Sequence, residues 1–136
     1  MDGTLWWADS EVRAVVPLAR EPEGNDLLLH LSAAQFCPGI GGDRPTHHAR
    51  GITLELRHLD RLEGAALGDC LGRLTQGHVQ VDGAPVIQRQ LGLPCALDGP
   101  LTLHLQFANG SVLHLRARAC RGLAPDPGDV FESLAC

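Results

Sequence analysis

The side chains best placed to do chemistry are His104, His114, Arg116 and Arg118. They alternate with apolar residues through LTLHLQFANGSVLHLRARA, residues 101–119. Two neutral imidazoles brought side by side can ligate one metal ion. Two protonated imidazoles beside two guanidiniums can instead hold a carboxylate, a phosphate or an acidic protein surface. A metal needs a third ligand, no carboxylate lies nearby on these two runs, and the arginines repel a cation. The four residues are therefore read as a ligand- or anion-binding site, with a merely solvated sheet face as the plain alternative.

Whether they meet depends on the turn at Asn109-Gly110, a strong hairpin signal between two alternating runs. A two-residue turn would set Phe107 opposite Val112 and Leu105 opposite His114, placing every apolar side chain beside a polar one. A three-residue loop, Ala108-Asn109-Gly110, pairs Leu105 with Leu113, Leu103 with Leu115 and Leu101 with Ala117. It requires a positive φ at Gly110. The same register sets His104 opposite His114 and Thr102 opposite Arg116, with Cβ atoms about 4.5–5.5 Å apart.

Other candidates are local. His47 and His48 are adjacent in the stretch RPTHHAR, and they form a candidate metal site if a loop turns both rings inward. Trp6 and Trp7 would point to opposite sides of a strand, one into the core and one outward as an interface anchor, which makes a homodimer or another protein partner an expectation. His30 reads as a core histidine, and His78 as an exposed residue at a strand end. Five cysteines, Cys37, Cys70, Cys95, Cys120 and Cys136, show no CxxC spacing; they read as buried small hydrophobes except Cys136, which reads as an exposed thiol. By parity Cys120 shares a face with His114, but at about 20 Å the two are too far apart for a catalytic dyad. No G-x-S-x-G elbow is present, and the glycines of CPGIGGDRP lack the lysine of a phosphate-binding loop.

The elements that must carry these residues are mostly strands. Residues 11–19 alternate, with Pro17 marking an edge or bulge, and 26–36 read as a central strand. Residues 37–50 read as a long Gly/Pro loop. Ile52, Leu54 and Leu56 give 51–59 one buried face. Leu67, Leu71 and Leu74, spaced i, i+4, i+7, predict one short helix over 65–76. Asp82-Gly83 predicts a second hairpin joining 78–81 to 84–87, with Pro85 confining one strand to an edge. Residues 91–100 read as an irregular connector. The expectation is a mainly β, antiparallel β-sandwich with one short helix, a partly open β-barrel being the alternative, in a single domain spanning 1–136.

The chain has 136 residues, 44% of them hydrophobic, and a net charge of −5, which lacks the basic field of a nucleic-acid binder. No secretory signal or membrane-length apolar run is visible, so a cytoplasmic location away from membranes is expected. The functional expectation is a non-enzymatic ligand- or protein-binding module without a cofactor. The rival is a small His-dependent metal-binding enzyme on a β-barrel, which would hold a transition metal.

Overall fold

The computed structural model describes residues 1–19, 24–39, 42–84 and 87–133. Nine strands follow one another: β1 (Gly3–Ala19), β2 (Asn25–Pro38), β3 (His47–Arg57), β4 (Arg61–Gly64), β5 (Gly72–Val81), β6 (Gln90–Leu93), β7 (Cys95–Phe107), β8 (Val112–Gly122) and β9 (Val130–Glu132). All pair antiparallel. β1, β2 and β3 form a meander, β3 pairs with β8, β8 with β7, β7 with β5, and β5 returns to β1. The ring closes as a six-stranded β-barrel, which is the barrel alternative; the sandwich expectation is not confirmed. β4 continues along β8 beyond β3, β6 lies along the first residues of β1, and β9 flanks β3.

Period-2 alternation builds the wall. Leu27, Leu29 and Leu31 on β2, Leu54 and Leu56 on β3, and Leu101, Leu103 and Leu105 on β7 all point inward and are buried. Trp7 and Phe36 fill the interior. Closure also leaves few unpaired edges, a standing hazard of open sheets. In β1 the register shifts between Trp6 and Glu11, with Asp9 at φ +67. The Ser10 hydroxyl ties this bulge down, donating to Trp6 O at 2.6 Å and accepting from Gln35 N at 2.9 Å. The bulge lets one strand face β6 with its first half and β5 with its middle.

The 101–117 hairpin has the three-residue register. Phe107 N donates to Ser111 O at 2.9 Å, Gly110 N to Phe107 O at 3.0 Å, and Gly110 has φ +92. Leu105 faces Leu113, Leu103 faces Leu115, and His104 faces His114.

Five expectations need correction. Residues 91–100 are strand rather than an irregular connector, β6 ending at Leu93 and β7 starting at Cys95 with Pro94 between them. The helix over 65–76 is a single 3-10 turn, Leu67–Asp69, followed by β5. Gly72 sits at φ +93, outside the helical region, so the leucine spacing cannot propagate as a helix. Leu74 instead lies buried on β5 opposite Phe107, and Leu71 is exposed. The 37–50 loop is shorter than expected, since β2 runs to Pro38 and β3 begins at His47. Residues 78–81 pair along β7, and residues 85–86 of the expected partner run lie outside the described residues. The chain does turn at Asp82-Gly83, but it returns for one bridge, Val79 to Gln88. Cys120 faces inward, because the register shift between Asp98 and Leu101 marks a change of phase near the end of the β7–β8 pair. Pro85 and Cys136 lie outside the described residues.

Candidate functional site

The outer face of β5, β7, β8 and β4 is a polar grid set by register. His78 on β5 faces His104 on β7, His104 faces His114 on β8, and His114 faces Glu63 on β4. The next row is Gln80, Thr102, Arg116 and Arg61, and on the other side Gln76 faces Gln106. Three imidazoles therefore stand in line across three neighbouring strands, all half-buried. The His78 and His104 rings stack with centroids 5.1 Å apart and planes 18° apart. His104 and His114 meet edge-on at 5.6 Å and 64°. Gln106 Nε2 lies 3.4 Å from His104 Nε2, and the amide of Gln76 donates to that of Gln106.

The expected arginines occupy this face already paired. Arg116 makes a two-pronged contact with Asp82 and reaches Thr102 Oγ1 at 3.5 Å. Arg118 Nε lies 3.3 Å from Asp60 Oδ1, and Arg61 Nε 3.5 Å from Glu63 Oε1. The cation left over is Arg89, which is exposed and which no carboxylate pairs with among the described residues. A cavity of about 360 Å³ opens beside it, lined by Trp6, Ala8, Thr75, Gln76, Gly77 and Arg89. The indole N–H of Trp6 is buried and has no acceptor among the described residues.

The electrostatics follow from this crowding. Burial first, then His104, Arg89 and His114, hold the His78 imidazole below the usual histidine range. Each neighbour is a cation or can become one, and each resists a proton on His78. Among the described residues no anion pairs with the row at its Arg89 end, and its Glu63 end is turned to Arg61.

The structure thus brings His104, His114, Arg116 and Arg118 onto one face and adds His78 and Arg89, which sequence reasoning left out. The signal for His78 was present in Gln76, His78 and Gln80 alternating with Gly77, Val79 and Val81. Nothing local marks Arg89. His47 and His48 are strand residues on β3, where alternation sends them to opposite faces. The His48 ring stacks on Phe131 at 5.4 Å, and His47 Nδ1 lies 2.8 Å from Thr46 Oγ1. Among the described residues no three His, Cys, Asp or Glu side chains are arranged to hold a metal ion. Trp7 is buried in the barrel, so of the Trp pair only half-buried Trp6 has surface to offer a partner. His30 is on the outer face rather than in the core, its Nδ1 2.8 Å from Thr53 Oγ1.

Fold and face together define a small antiparallel β-barrel with an imidazole-lined outer surface. Comparison of the chain with protein-family models, curated proteins and solved structures found no match in any of the three. Among the described residues no helix is long and apolar enough to cross a membrane.

Proposed function

We propose that this protein is a non-enzymatic binding module whose outer face takes a small anionic group, a carboxylate or a phosphate, between Arg89 and the row His78, His104 and His114. One observation carries the reading. Three half-buried imidazoles stand in register beside a guanidinium that has no carboxylate partner among the described residues. An anion seated there relieves the mutual repulsion that opposes protonation of His78 and accepts charge-assisted hydrogen bonds from Arg89. Gln76 and Thr75 line the cavity as further donors.

Binding is then linked to proton uptake. The bound anion favours the charged imidazole, so affinity rises as pH falls from about 8 to about 6. The test is a titration of the whole protein with inorganic phosphate, following the imidazole resonances of His78, His104 and His114 by NMR. The expected result is a saturable shift of these resonances, stronger at the lower pH. Arg89→Ala should weaken binding about tenfold, the scale of one charge-assisted hydrogen bond. Arg116→Ala should change it little, because Arg116 is already committed to Asp82. Imidazole resonances that ignore phosphate at both pH values, or an Arg116→Ala loss larger than that of Arg89→Ala, would overturn the proposal. A stoichiometric transition metal retained by untagged protein would replace it with the His-dependent metal enzyme.

A further inference from the structure

Cys95 opens β7 and Cys120 lies near the end of β8. Their register is diagonal, Leu97 facing Cys120 and Cys95 facing Gly122, yet both thiols turn to the interior and the Sγ atoms lie 3.6 Å apart. We propose that these two thiols form a hydroperoxide-reactive pair that closes reversibly into a cross-strand disulfide between β7 and β8. The inference stands apart from the anion reading and uses none of its residues.

Three features divide the roles. The first is access. Cys95 lines a surface groove of about 500 Å³ with Thr53, Pro94, Arg121 and Gly122, whereas Cys120 does not. The second is charge. Arg121 spans the two strands, donating to Leu97 O at 2.9 Å and to Cys120 O at 3.0 Å, so its guanidinium lies close to both cysteines while its other terminal nitrogen pairs with Asp98. The contact with Cys120 outweighs burial and, with the Leu97 backbone and then Arg121 adding to it, holds the Cys95 thiol below its usual range, while the same contact and burial push Cys120 up. The third is a resolving partner already in contact, the arrangement that turns an oxidised cysteine into a disulfide rather than a dead end. Cys70 offers the contrast: it is fully buried, its thiol is pushed up by burial and Asp69, and its Sγ lies 3.5 Å from Ala66 O.

The Cys95 thiolate attacks one oxygen of the hydroperoxide. The O–O bond breaks, the distal oxygen leaves as hydroxide, and Cys95 becomes a sulfenic acid. The Cys120 sulfur then attacks the Cys95 sulfur, the S–O bond breaks, and hydroxide leaves and takes the Cys120 proton as water. In sum two thiols and one hydrogen peroxide give one disulfide and two waters, the peroxide being reduced and the two sulfurs oxidised. Closure requires the sulfurs to approach from 3.6 Å to about 2.05 Å, and because the two residues are diagonal rather than directly opposed, the ends of β7 and β8 must shift to bring them into disulfide range.

The experiment exposes the folded, reduced protein to hydrogen peroxide, removes the peroxide, alkylates in denaturant and maps the peptides by mass. Expected is one linked species joining the Cys95 peptide to the Cys120 peptide, with alkylation of both falling several-fold and returning after dithiothreitol. In Cys120→Ala, Cys95 should accumulate as a sulfenic acid trapped by dimedone. In Cys95→Ala, Cys120 should stay reduced. Full alkylation of Cys95 and Cys120 after peroxide, or linkage of either to another cysteine instead, overturns the proposal. The wild-type map decides the matter even if a variant fails to fold.

Discussion

At the residue scale His78 contributes a pH dependence. Its imidazole titrates below the usual range in the folded chain and near about 6.5 in the unfolded one. Below that pH the unfolded state takes up a proton that the folded state resists, so stability is lost as pH falls. Urea denaturation of wild type between about pH 8 and pH 5 should show this decline, and His78→Gln should flatten it. A decline of equal size in His78→Gln would assign the effect elsewhere. Phosphate should oppose the loss in wild type, because it binds the folded form.

The groups facing His78 are His104 from β7, His114 beyond it on β8, and Arg89 just before β6. Only the first two come from the readable hairpin. His104 and His114 could be paired from the letters alone, since a slip of one residue would have buried polar side chains. Arg89 belongs to a stretch with no period, and its place beside His78 follows from the antiparallel bridge between Val79 and Gln88.

At the scale of the element, the turn of the β7–β8 hairpin is the part most closely tied to its sequence. Gly110 sits at φ +92 with open space around its Cα, so a side chain there meets strain and no clash. Gly110→Ala should lower stability by about 1–2 kcal/mol, read from the urea midpoint, with the fold retained. No measurable loss would mean the loop is not held in the left-handed conformation. The Asn109 side chain links this tip to the 3-10 turn, its Nδ2 donating to Asp69 O at 2.8 Å. The helix expected at that turn fails for the complementary reason. The leucine spacing at 67, 71 and 74 suits a helix locally, but Leu74 gains more by pairing into the wall opposite Phe107.

At the scale of the whole molecule, the seam between β3 and β8 makes the sheet a barrel. Gly122 lies in that seam opposite Leu54, and an added Cβ would come within 2.6 Å of Leu54 Cδ2 and 3.7 Å of Cys95 Cβ. Leu54 is fully buried and has little room to yield. Gly122→Ala should therefore destabilise by about 1–3 kcal/mol through overpacking. Gly92→Ala, where nothing lies within 4 Å, should cost far less by the same denaturation measurement. Equal effects at the two positions would argue against the closed seam.

The letters alone determined that the chain is built of antiparallel strands and that its last hairpin bends over three residues. They also placed His104 and His114 side by side. These features rest on local alternation and on the backbone needs of one turn, which neighbouring residues impose on each other. Only the tertiary structure decided that the wall closes, that His78 and Arg89 join the row, and that Cys120 turns inward to Cys95. Those outcomes depend on which distant strands lie adjacent and on a bulge that changes strand phase. Alternation reads the same in an open sheet and a closed one, and packing between remote segments chooses between them.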